Sequence, residues 1–127
     1  MKAIKVTTGN EISTVEIGHP KLECMQKEVD GFIEVARTKG LMNPFVMIVD
    51  EEGLLKNKEL NIIGSLLYGT HRHGHPIVGD VLIMREEPGP KRYGNDFYGL
   101  TDPDIASLTA HLKNVYEINK QLTVIHS

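Results

Sequence analysis

The chain has 127 residues, 40% hydrophobic and 24% charged, with a formal net charge of −3, no Trp and one cysteine, Cys24. One thiol cannot close an internal disulfide, no apolar run nears the roughly 20 residues that span a bilayer, and the acidic balance disfavours the many phosphate contacts of a long nucleic acid. These counts predict one soluble cytoplasmic domain spanning residues 1–127, since Met1-Lys2-Ala3-Ile4-Lys5 also lacks the apolar core of a signal peptide.

Ile4 and Val6, then Val15 and Ile17, alternate with polar residues on either side of Thr8-Gly9-Asn10, which predicts a β-hairpin. Pro20 follows at a first helical position, and Leu22, Met25 and Val29 repeat at helical spacing before a glycine stop at Gly31. Phe32 to Arg37 has strand composition, and Phe45-Val46-Met47-Ile48-Val49 is an apolar run suited to a strand covered on both faces. Asp50-Glu51-Glu52-Gly53 reads as a solvated turn, with Leu54-Leu55 the start of a short return strand. Leu60, Ile63 and Leu67 give a helical turn or two, with Gly64 the weak point. Residues 70–75 form a polar, histidine-rich loop, and residues 76–84 a largely buried strand.

Pro88, Gly89, Pro90, Gly94 and Gly99 make residues 86–99 a long surface loop. Asp102-Pro103-Asp104 supplies a cap, a first-turn proline and a carboxylate at the positive helix end, and Ile105, Leu108, Leu112 and Val115 follow on one helical face. Residues 117–127 read as a tail, the last six of them as a short strand or a frayed end. The order predicts an α+β fold: a single compact domain, mainly antiparallel sheet, with two to three short helices.

Five segments together resemble an uncharacterised domain family known mainly from bacteriophages, plasmids and mobile elements of Gram-positive bacteria. They are Met1-Lys2-Ala3-Ile4-Lys5-Val6, Gly31-Phe32-Ile33-Glu34-Val35, Asp50-Glu51-Glu52-Gly53-Leu54-Leu55 with Asn61 after it, Pro76-Ile77-Val78-Gly79-Asp80-Val81, and Gly99-Leu100-Thr101-Asp102. The resemblance covers about residues 1–112 and carries over no catalytic residue. It implies an accessory protein acting in the cytoplasm of a bacterial host, where small proteins of this kind counter host defence, some by sequestering nucleotide second messengers.

The chemistry of the loops is read from their own residues. Arg72 offers a planar fork for phosphate, His71 and His73 can donate hydrogen bonds, and Gly69 and Gly74 permit close backbone approach. Lys91, Arg92, Tyr93, Asn95 and Tyr98 combine cations, rings that stack on a base and an amide that reads a base or ribose edge. Asn61 reads as a cap or turn residue and, second, as a ligand contact. Cys24 reads as a small buried hydrophobe. The expected function is therefore non-enzymatic capture of a small anionic, nucleotide-like ligand, with no cofactor and with a homodimer or higher homo-oligomer as a way to enclose it.

Two alternatives stand beside it. His71, His73 and His75 alternate, as three ligands of a metal would in extended backbone, which suits a metal-dependent phosphodiesterase. Arg72 in their midst, the bend at Gly74-His75-Pro76 and the absence of any HExxH spacing weigh against it. The other alternative is a protein-binding inhibitor that docks a host factor on an apolar or acidic face.

Overall fold

A computed structural model describes residues 1–38, 40–69, 75–89 and 95–126, with side chains for all of these but 95 and 122–126. The predicted hairpin forms as β1 (Lys2–Val6) and β2 (Ile12–Glu16), with Asn10 at φ 68° as the left-handed residue of its turn. Helix α1 (Lys21–Val29) starts after Pro20 and buries Met25 and Val29, while Leu22 faces solvent. It ends with Asp30 at φ 56° and the Gly31 N–H donating to the Gln26 carbonyl at 3.0 Å. Strands β3 (Ile33–Ala36) and β4 (Phe45–Asp50) follow, then α2 (Ile62–Tyr68), β5 (Val81–Pro88), β6 (Asn95–Tyr98) and α3 (Asp102–His126).

The sheet runs β2-β1-β5-β4-β3, with β6 also on β5, and every pairing among the described residues is antiparallel. β1 pairs with residues 81–83 of β5 and β6 with residues 85–88, so the two lie end to end along one edge of β5 while β4 holds the other. Alternation divides the apolar residues between two faces. Val46, Ile48, Leu82 and Met84 pack with Met25 and Val29 of α1; Met47, Val49, Val81 and Ile83 pack with Ile63 and Leu67 of α2 and Leu108 and Leu112 of α3. The single domain is a sheet covered on both faces. No helix among the described residues is long and apolar enough to cross a membrane.

Several sequence expectations shift. The loop expected at residues 86–99 contains a hairpin: β5 continues to Pro88 and β6 starts at Asn95, opposite it. The strand expected at 76–84 begins only at Val81, because residues 75–78 lie along α2 instead, where Val78 forms one isolated bridge, to Leu60, outside the sheet. Leu54 and Leu55 form no return strand; residues 51–57 are turns and both leucines are exposed. The cap of α3 is Thr101, whose hydroxyl accepts from the Asp104 N–H at 3.2 Å while Asp104 accepts from the Thr101 N–H at 3.0 Å. Residues 117–126 form neither a strand nor an irregular tail: α3 continues to His126.

Candidate functional site

A cleft of about 330 Å³ runs along β3, beneath α2 and the 75–78 segment. Glu34 and Ala36 of β3 and Val49 of β4 share the face that meets it, their neighbours Val35, Arg37 and Asp50 border it, and Tyr68, His75, Pro76, Ile77, Val78, Glu51 and Leu54 complete the walls. Local chemistry holds the upper wall in place. The Ser65 hydroxyl donates to the Ile77 carbonyl at 3.1 Å and accepts from the Ile77 N–H at 2.9 Å. The Asn61 N–H donates to the same carbonyl at 2.8 Å. Gly64 is what lets this segment lie so close, since a Cβ there would stand 3.0 Å from the Ile77 side chain. The far end of α2 is tied down by the Thr38 hydroxyl, which donates to the Leu67 carbonyl.

The two ends of the cleft differ in chemistry. Tyr68, His75 and Arg37 stand at the end where β3 leads into Thr38; Glu51 and Leu54 stand at the other, where Glu51 pairs with Phe32. Arg37 is committed to a forked ion pair with Glu86, at 2.6 and 3.0 Å. Among the described residues the Glu34 and Glu51 carboxylates have no ionic partner. The cleft's own described charge is therefore acidic, and a cation for an anionic ligand has to come from elsewhere in the chain.

Beside the cleft, on the opposite face of the sheet, lies a buried ionic cluster that corrects the reading of Asp50 as part of a solvated turn. Asp50 is the last residue of β4, and its side chain has no exposed surface. Lys58 Nζ lies 2.7 Å and Lys56 Nζ 2.9 Å from it, and the Glu52 N–H donates at 2.9 Å. Burial alone would push the carboxyl up, but the bonds from Lys58, Lys56 and Glu52 outweigh it and hold the pKa at about 2. Lys58 also donates to the carbonyls of Val29 and Asp30 at 2.8 and 2.9 Å, placing a cation on the negative end of α1. A carboxylate kept ionised and so fully engaged is an anchor and cannot act as a general acid near neutral pH.

Residues 1–113 match the family described as Domain of unknown function (DUF3846). The chain belongs to this family. No curated protein and no solved structure matches it.

In this DUF3846 domain the residues singled out by sequence fall in several places. His71, Arg72, His73, Lys91, Arg92 and Tyr93 lie outside the described residues. Their neighbours are described: Tyr68 and His75 both line the cleft, whereas Pro88 and Asn95 face one another on the β5–β6 hairpin, across β5 from β4. Tyr98 packs under Lys21, whose Nζ is 5.6 Å from the ring centre and donates to Asp96 at 2.8 Å and to the Phe97 carbonyl at 3.0 Å. Asn61 caps α2: its carbonyl accepts from the Gly64 N–H at 2.9 Å, and its amide donates to the carbonyls of Val6 and Gly79 at 3.0 and 2.9 Å. Cys24 is half-buried against the α1 face of the core. Sequence reading missed the Asp50, Lys56, Lys58 cluster; Lys56 and Lys58, six and eight residues after Asp50, were its one available signal.

Proposed function

We propose that this domain is a non-enzymatic accessory protein of a phage or mobile element that captures a small anionic, nucleotide-like ligand in the host cytoplasm, at the Tyr68 end of the cleft. One observation carries the reading: Tyr68 and His75 both line the cleft, and the chain between them includes His71, Arg72 and His73. The volume, about 330 Å³, falls at the small end of ligand sites. A tyrosine ring beside Pro76 and Ile77 suits a flat base, and an arginine fork with imidazole donors suits phosphate. Capture needs tight binding and no turnover, so nothing in the site has to act as a nucleophile.

The test is retention. Purified protein is incubated with a panel of cyclic and linear mono- and dinucleotides, washed, heat-denatured, and the released ligand analysed by chromatography. Intact ligand is expected, with retention reduced about tenfold or more in Arg72→Ala, the loss typical of removing a charged anchor. Release of hydrolysed product would favour the phosphodiesterase alternative, and retention of no panel member would end the capture reading.

A further inference from the structure

Strand β3 ends the sheet on one side, and among the described residues no strand pairs with its outer edge. Register fixes which of its groups face out. The Glu51 N–H donates to the Phe32 carbonyl at 2.8 Å, so positions 32, 34 and 36 spend their ladder bonds on β4 while 33 and 35 turn theirs away. Ile33 and Val35 thus present two N–H donors and two carbonyl acceptors to the open side. Natural sheets shield such an edge with Lys, Pro or a bulge; Ile33-Glu34-Val35-Ala36 has none of these.

On the cleft face the surroundings of this edge are apolar and acidic; the cation just beyond it, Arg37, is paired with Glu86. Phe32, Leu54 and Leu55 are 62%, 61% and 84% exposed, and the bond from Glu51 to Phe32 gathers them at the same end of β3. Single exposed hydrophobics are ordinary, but three large ones beside an unpaired strand edge mark a contact surface. Alternation places Phe32, Glu34 and Glu51 on the cleft face, and Ile33 and Val35, half-buried, on the other.

We propose that the outer edge of β3 docks an extended segment of a partner protein in which basic residues alternate with apolar ones. Its backbone completes the bonds offered by Ile33 and Val35, its basic side chains meet Glu34 and Glu51, and its apolar side chains cover Ile33 and Val35. Charge selects this occupant over a second copy of the chain. Two copies joined edge to edge about a dyad keep their faces matched, so Glu34 and Glu51 of both would crowd one face, with no cation from positions 32–36 between them. The proposal goes beyond ligand capture and requires no small molecule.

Fluorescence anisotropy with labelled octapeptides alternating lysine and valine, or glutamate and valine, tests it on the intact, nucleotide-free protein. The lysine peptide is expected to bind at least about tenfold more tightly, and Glu34→Lys with Glu51→Lys to reverse the preference. Val35→Pro removes an outward N–H without touching the ladder to β4, as edge strands tolerate, and is expected to weaken binding about tenfold or more. The two glutamates are exposed, so the charge reversal remains decisive should the proline variant unfold. Equal binding of both peptides, a preference that survives the charge reversal, or a dimer of the protein alone that Val35→Pro disperses would each overturn the proposal. Because Glu34 and Glu51 also line the cleft, nucleotide retention is read on the wild-type protein, where its result is independent of these outcomes.

Discussion

Asp50 follows five apolar residues and precedes two glutamates, a position from which a carboxylate ordinarily reaches water. It is buried because Lys56, Lys58 and the end of α1 converge there, and the approach is so close that a Cβ on Gly31 would meet its carboxylate. Gly31→Ala should therefore cost about 3 kcal/mol in urea unfolding, since the clash falls on a charged group with no room to move. Asp50→Asn at neutral pH should cost a similar amount, about 3 kcal/mol, by leaving the mostly buried Lys58 with only the solvent-exposed Asp30 carboxylate, 3.7 Å away, as counter-charge. The pH dependence has a definite sign. A carboxyl at about 2 when folded and about 4 when unfolded stabilises the protein above pH 4 and loses that contribution as pH falls toward 2. The stability gap between wild type and Asp50→Asn should shrink by about 2 kcal/mol across that window; a constant gap would mean the carboxylate is not held low.

Helix α2 is only seven residues long, too short to persist on local propensity, so its existence rests on what fastens its ends. Asn61 does most of this, capping Gly64 and joining the helix to the carbonyls of Val6 and Gly79. Asn61→Ala should cost about 3 kcal/mol, and Asn61→Ser should recover only about 1 kcal/mol, because serine restores the cap but not both carbonyl contacts. Full recovery by serine would show that capping alone matters. Such contacts mark the limit of sequence reading. The β1–β2 hairpin and the apolar face of α3 were legible because each follows the period of its own element, and β4 because an unbroken apolar run of that length suits a strand covered on both faces. The β5–β6 hairpin was not, since Pro88 and Gly89 stand at its turn and made the flanking strands look like loop. At the candidate site a cap was the first reading of Asn61, whereas the cleft, which depends on Ser65 holding Ile77 across twelve residues of chain, left no local pattern.

Whether the covered sheet behaves as one cooperative body depends on β4 and β5, because each gives alternate residues to both faces. Ile48 and Leu82 pack toward α1 while their neighbours Met47 and Ile83 pack toward α2 and α3, and all four are fully buried. A defect on one face therefore displaces backbone that the other face also needs. Ile48→Ala removes contacts only from the α1 side and should cost about 3 kcal/mol. If α1 could detach by itself, hydrogen exchange would speed up in α1 and remain slow in α3. The shared strands predict otherwise: amides near Met25 and near Leu112 should lose protection together and by the same factor, each exchanging through global opening. The same coupling bears on the cleft, whose wall includes Val49, the β4 residue next to Ile48. Loss of protection confined to α1 would show two separately unfolding layers and would uncouple the cleft from the face behind it.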